Sequence, residues 1–145
     1  MGALPATIFS GVLMSSLIVY IDRSAIREGK LEEVRTALRG LVEFVDSAEP
    51  QLLAYGFYID EDGERLTCVA IHPDSSSLEF HLEVGRDAFR TFTELIDLRT
   101  IEVYGLPSNK VRGQLQQKAE LLGGNGNVVV HEQHAGFARF ALPET

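Results

Sequence analysis

Leu52-Leu53-Ala54-Tyr55-Gly56-Phe57-Tyr58-Ile59, Glu61-Asp62-Gly63-Glu64, Leu66-Thr67-Cys68-Val69-Ala70-Ile71-His72 and Pro73-Asp74-Ser75-Ser76-Ser77-Leu78-Glu79-Phe80-His81-Leu82 follow one another in the middle of the chain. Leu53, Tyr55, Phe57 and Ile59 alternate on one face of a strand, as Leu66, Cys68, Ala70 and His72 do on the next. The acidic tetrapeptide between them carries Gly63 for a left-handed position, which predicts an antiparallel hairpin. A helix start comes directly afterwards, with Ser76 and Glu79 at capping-box spacing and Leu78, Phe80, His81 and Leu82 in the opening turns.

Upstream, Leu17-Ile18-Val19-Tyr20-Ile21 is apolar at every position, so both faces of that strand need cover, and Asp22-Arg23-Ser24 is read as its end. Over 27–46, Leu31, Val34, Leu38, Leu41 and Val45 form one helical stripe, with Glu28, Glu32, Glu33, Arg35, Arg39 and Glu43 on the solvated remainder. Glu49-Pro50 stops it, because proline disfavours helical backbone in the residue before it. Downstream, 86–96 shows helical spacing through Ala88, Phe89, Phe92, Leu95 and Ile96, with Gly85 marking a bend, and 100–104 reads as a fourth strand. The order β-α-β-β-α-β is the ferredoxin-like split βαβ plan, an α+β fold whose antiparallel sheet carries both helices on one face. A C-terminal helix and strand are appended: Ser108 caps, Val111, Leu115, Lys118, Ala119 and Leu122 follow at helical spacing, 127–133 forms a strand, and 136–140 suggests a short one.

With 145 residues, 45% hydrophobic and 23% charged, the expectation is one globular domain over 1–145, with a core near 17–105 and an extension over 106–145. Thirteen basic against twenty-one acidic residues, without a basic cluster, argue against nucleic acid. The lone Cys68 sits mid-strand as a small core hydrophobe and fits a reducing cytoplasm. The first 21 residues hold no charged side chain, but no Lys or Arg precedes the apolar run. Pro5, Ser10, Gly11, Ser15 and Ser16 break it well short of the ~20 residues of a membrane span, so a lead into a strand is expected rather than a signal or anchor.

Helices that cover one face of a sheet leave the other to water unless something else shields it. Strand 17–21 is apolar throughout, Val69 and Ile71 oppose Cys68 and Ala70, and Val128-Val129-Val130 is continuous. A second copy packing sheet to sheet, in a dimeric α+β barrel, is the expected solution and makes the protein a homodimer.

The Leu52–Tyr58 run, the strand ending at His72-Pro73-Asp74, and Ser77-Leu78-Glu79-Phe80-His81-Leu82 with Phe89 downstream together resemble the antibiotic-biosynthesis monooxygenase domain of the dimeric α+β barrel superfamily. The resemblance covers about 17–105. It implies the homodimeric barrel and a cofactor-independent monooxygenase acting on a small aromatic, quinol or polyketide-like substrate, with no metal or flavin. Members of the superfamily also include haem-degrading proteins and proteins with no assigned activity. The chain differs from characterised members in having no tryptophan and in its 106–145 segment.

On that resemblance His81 is the first candidate catalytic base, since imidazole accepts a proton near neutral pH; the alternative is a histidine packed at the helix–sheet junction. His72, at a strand end, is the second, against a plain strand-end hydrogen bond. Tyr55 and Tyr58 point to opposite faces, so at most one lines a given pocket, and each has a hydroxyl to orient a phenolic ligand. Core or dimer packing is the competing role of these two tyrosines, and Phe89 and Tyr104, which ends the fourth strand, complete the candidate substrate-binding set. A metal is not expected: His131 and His134, three apart in a strand, fall on opposite faces, and there is no CxxC or helical HxxxH pair. No local motif supports a haem ligand. Gly123-Gly124-Asn125-Gly126-Asn127 follows a helix and precedes a strand, the wrong order for a phosphate cradle. The rival to an enzyme is a non-catalytic homodimer that binds a small apolar ligand. A closed, filled cleft around His81 favours the rival, and an open one favours the enzyme.

Overall fold

The computed structural model describes residues 16–123 and 127–140. The element order is β1 (Ile18–Ile26), α1 (Leu31–Ala48), β2 (Ala54–Ile59), β3 (Arg65–His72), α2 (Ser75–Val84), α3 (Arg86–Arg90), β4 (Ile96–Tyr104), α4 (Asn109–Leu122) and β5 (Asn127–His131). The sheet runs β2-β3-β1-β4-β5. The β2–β3, β3–β1 and β1–β4 pairs are antiparallel, as the ferredoxin-like plan requires. β5 joins β4 in parallel, with α4 as the crossover that parallel pairing needs. The appended segment therefore extends the sheet by one strand.

The hairpin turns where expected. Gly63 has φ 75°, and Asp60 and Arg65 close the turn through a 3.1 Å backbone bond. A side chain at 63 would be strained in φ, and its Cβ would come within 2.9 Å of Leu31 Cδ2. Val34, Leu38, Leu41 and Val45 of α1, Leu78 and Leu82 of α2, and Val111, Leu115, Ala119 and Leu122 of α4 share one hydrophobic cluster with Ile18, Tyr20, Leu66, Cys68, Ala70, Ile101 and Val103 of the strands. The helices thus lie on one face. The opposite face carries half-buried Val19, Ile21, Val69 and Ile71 and exposed Tyr58 and Val129, and none of the described helices covers it.

Four expectations are corrected. β1 continues through Asp22-Arg23-Ser24 to Ile26, because the inward Asp22 is satisfied by neighbours rather than expelled. The helix read over 86–96 is only the five-residue α3, and Ile96 opens β4. The register between β1 and β4 slips at Arg23/Ser24, so Ile96 and Leu98 point inward before the slip and Ile101 and Val103 after it. That bulge hides the period-2 signal, and Ile96 falls by chance on a helical spacing. The cap of α2 is Asp74, whose Oδ1 accepts from Ser77 N at 2.9 Å, rather than Ser76, since the Asp74–Ser77 run offers several oxygens in succession. Residues 136–140 form no strand, and β5 ends at His131. The lead segment over 1–15 and the glycines at 124 and 126 lie outside the described residues.

Candidate active site

His81 lies in the second turn of α2 and faces the sheet, 2% exposed. Its Nδ1 meets both carboxylate oxygens of Glu49, at 2.7 and 2.9 Å. Glu49 follows α1 directly and is itself 2% exposed. A carboxylate oxygen accepts a hydrogen bond from an Nδ1–H, an arrangement that turns Nε2 away from Glu49 as the ring nitrogen available to a proton. The ring is hemmed in by Tyr55 at 5.2 Å, edge-on, and by His72 and Phe89 at 5.6 Å each.

His72 ends β3 fully buried. Its Nδ1 bonds Ser77 Oγ at 2.7 Å, and its Nε2 has no partner among the described residues. Burial first, then the electrostatic influence of the neighbouring His81 and Lys118, pushes its pKa down to about 3. An imidazole that takes a proton only near pH 3 accepts none at pH 7. Burial, then the nearby Cys68 thiol, pushes the Tyr55 phenol well above its usual value, so it keeps its proton at neutral pH. Cys68 is likewise pushed up, chiefly by burial, which keeps it an inert thiol.

A second polar cluster stands across the same core. The Tyr20 hydroxyl donates to Asp22 Oδ2 at 2.5 Å, and Lys118 Nζ donates to that hydroxyl at 2.8 Å and to Asp22 at 3.3 Å. The ammonium also sits 4.2 Å from the Phe89 ring centroid. Between this cluster and the histidines is a cavity of about 30 Å³ whose walls include Asp22, Ser24, Tyr55, Phe57, Phe89 and Lys118. That is room for a water or a diatomic molecule, far below a typical ligand pocket. Phe89 and Lys118 also line an outer cleft of about 240 Å³ between α3 and α4. His81 stands behind Tyr55 and Phe89, in a closed, side-chain-filled position.

His81, His72, Tyr55 and Phe89 are thus brought together. Tyr58 and Tyr104 are not: both lie on the opposite face, Tyr58 61% exposed and Tyr104 stacked on His131 at 4.5 Å. Tyr104 donates to Glu102, which also binds Arg23 and His131. No group of three His, Cys, Asp or Glu among the described residues is placed to hold a metal, and no described helix is long and apolar enough to cross a membrane. Glu49 and the Asp22–Lys118 pair escaped the sequence reading as functional groups. Their signal was there: Glu49 continues the stripe Leu38, Leu41, Val45, and Asp22 continues the inward alternation of Ile18 and Tyr20. A buried position holding a charge is the kind of inconsistency that marks a site.

No protein-family model matches the chain, and no curated protein sequence matches it. Solved structures do. MupZ from Pseudomonas fluorescens superposes with a TM-score of 0.67 at 19% identity, over 89% of this chain and 99% of that one. SnoaB from Streptomyces nogalater, a cofactor-independent oxygenase, gives 0.55 at 10% identity over 65% and 96%. A Bacteroides thetaiotaomicron protein, provisionally assigned as an antibiotic biosynthesis monooxygenase, gives 0.51 at 18% over 57% and 85%. At these identities the likeness is one of fold.

Proposed function

Because this chain has the fold of the antibiotic-biosynthesis-monooxygenase-like proteins, a ferredoxin-like α+β fold, we propose that it is a cofactor-independent monooxygenase of a small aromatic, quinol or polyketide-like molecule. The observation that carries this reading is the His81–Glu49 dyad packed one ring away from a cavity of oxygen size, walled mainly by apolar side chains together with Asp22, Ser24 and Lys118. Such a reaction needs little from the protein beyond a base and a dry site. In this reading His81 Nε2 removes a proton from an activated carbon or phenol, and Glu49 fixes the tautomer and steadies the imidazolium. The substrate anion then reduces O₂; one oxygen atom enters the substrate and the other leaves as water, the substrate CH₂ becoming C=O. Tyr55 donates to the developing oxyanion, and Phe89 has to swing aside to admit the substrate. His72 stays neutral and positions Ser77 and α2.

Oxygen uptake with anthrone as probe, which would yield anthraquinone and water, tests it. The wild type should speed uptake, and His81→Ala should lower the rate by about 10² or more. If His81→Ala consumes oxygen as fast as the wild type, His81 is not the base.

The closed packing around His81 supports a second reading, a non-catalytic homodimer in which the dyad only ties α1 to α2. Wild-type protein that leaves anthrone uptake at the buffer rate, while still binding apolar ligands, would favour it. We also infer that the homodimer forms through the helix-free face of the sheet, where Val19, Ile21, Val69 and Ile71 adjoin one another in register.

A further inference from the structure

The outer cleft between α3 and α4 has a charge at odds with the rest of the protein. The chain carries thirteen basic against twenty-one acidic residues, yet this cleft is lined by Arg86, Arg90 and Lys118 and by no carboxylate. Arg86 and Arg90 stand one turn apart on α3, both exposed, and neither guanidinium makes an ion pair or hydrogen bond with a described residue, the Arg90 carbonyl alone being taken up by Thr93. Lys118, in the floor, is held by Asp22 and Tyr20. The remaining walls are of two kinds. Leu82, Phe89 and Leu121 are apolar, and Gln114 and Gln117 are amides, with Gln114 Oε1 buried and without a partner. The Gln114 NH₂ donates to the Glu79 carbonyl over a long 3.4 Å, whereas Gln117 makes no side-chain hydrogen bond with a described residue and can turn its NH₂ toward an anion.

We infer that this cleft is a binding site for an aromatic carboxylate: the ring lies on Leu82, Phe89 and Leu121 and the carboxylate is held by Arg86 and Arg90. Two guanidinium groups that match carboxylate geometry, beside the apolar side chains of Leu82, Phe89 and Leu121 in a cleft of about 240 Å³, select for that combination over a neutral aromatic of the same shape. Because Phe89 and Lys118 form both the floor of this cleft and a wall of the inner cavity, the site is the vestibule of the proposed oxygenase. It deepens the function proposed above by naming the substrate class, and rests on that reading only for what happens after binding.

The test is a pair of isosteric probes, 2-naphthoate and 2-naphthamide, titrated calorimetrically into the full-length protein without any turnover measurement. The wild type should bind naphthoate about tenfold or more tightly than naphthamide, a preference weakened by salt. The double variant Arg86→Gln/Arg90→Gln, at two exposed positions, should weaken naphthoate about tenfold and leave naphthamide unchanged. Gln117→Glu, which puts a carboxylate into the same wall, should likewise weaken naphthoate alone. Equal affinity for the two probes, no saturable naphthoate binding at millimolar concentration, or variants that bind naphthoate like the wild type would each overturn the inference. Binding without oxygen uptake would keep it and sink the oxygenase instead, and uptake without the charge preference would do the reverse.

Discussion

A buried imidazole without a full set of partners reports on pH. His72 has a folded pKa of about 3 against an ordinary value of 6.5, so below pH 6.5 the unfolded chain takes a proton that the folded one refuses. Its contribution to stability is intact above that pH and is lost as the pH falls from 6.5 toward 3, at up to about 1.4 kcal/mol per pH unit. Urea denaturation at pH 7, 6 and 5 should therefore show a steeper loss for the wild type than for His72→Gln, and parallel pH profiles would refute the assignment. Single residues were partly legible. His81, His72, Tyr55 and Phe89 were singled out and do gather on the helix side of the sheet. Their charged partners were not, because Glu49 is brought to His81 across 32 residues and Lys118 to Asp22 across 96, and single-sequence periodicity holds no information on such pairings.

Elements were read well wherever one period persisted. The stripe of α1 and the alternation of β2 and β3 appear as expected, since nothing interrupts them. β4 failed where the bulge at Arg23/Ser24 changes the face its residues present, and β1 was cut short because a carboxylate reads as surface until its Lys118 and Tyr20 partners are known. Caps follow the same logic, with several eligible side chains in one run and only one chosen by geometry. Asp74 is that one, and Asp74→Ala should lower stability by about 1 kcal/mol in thermal or chemical unfolding, whereas Ser76→Ala should stay within about 0.5 kcal/mol. Equal losses for the two would restore the capping box read from sequence.

At the scale of the whole molecule, the sheet has one face committed to helices and one that is not. Ile21 sits at the middle of the uncommitted face, opposite Val69 on one side and Glu102 on the other. Ile21→Lys should raise the dissociation constant of the inferred dimer about a hundredfold in sedimentation equilibrium, while leaving the thermal transition of the monomer cooperative. A wild-type protein that sediments as a monomer at micromolar concentration would remove the dimer. In that case the half-buried aliphatics of this face would simply be wetted.

The central position of β1 also governs how the chain comes together in time. Val19 pairs with Ile71 on one side and with Tyr104 on the other. During synthesis the first strand must wait for the third, and then for the fourth, before both its edges are closed, so local helix formation in α1 and α2 runs far ahead of sheet completion. Refolding should accordingly be slow for a chain of this size, in the range of milliseconds to seconds, and the early collapsed species, with an apolar strand edge still open, is the form most prone to aggregate.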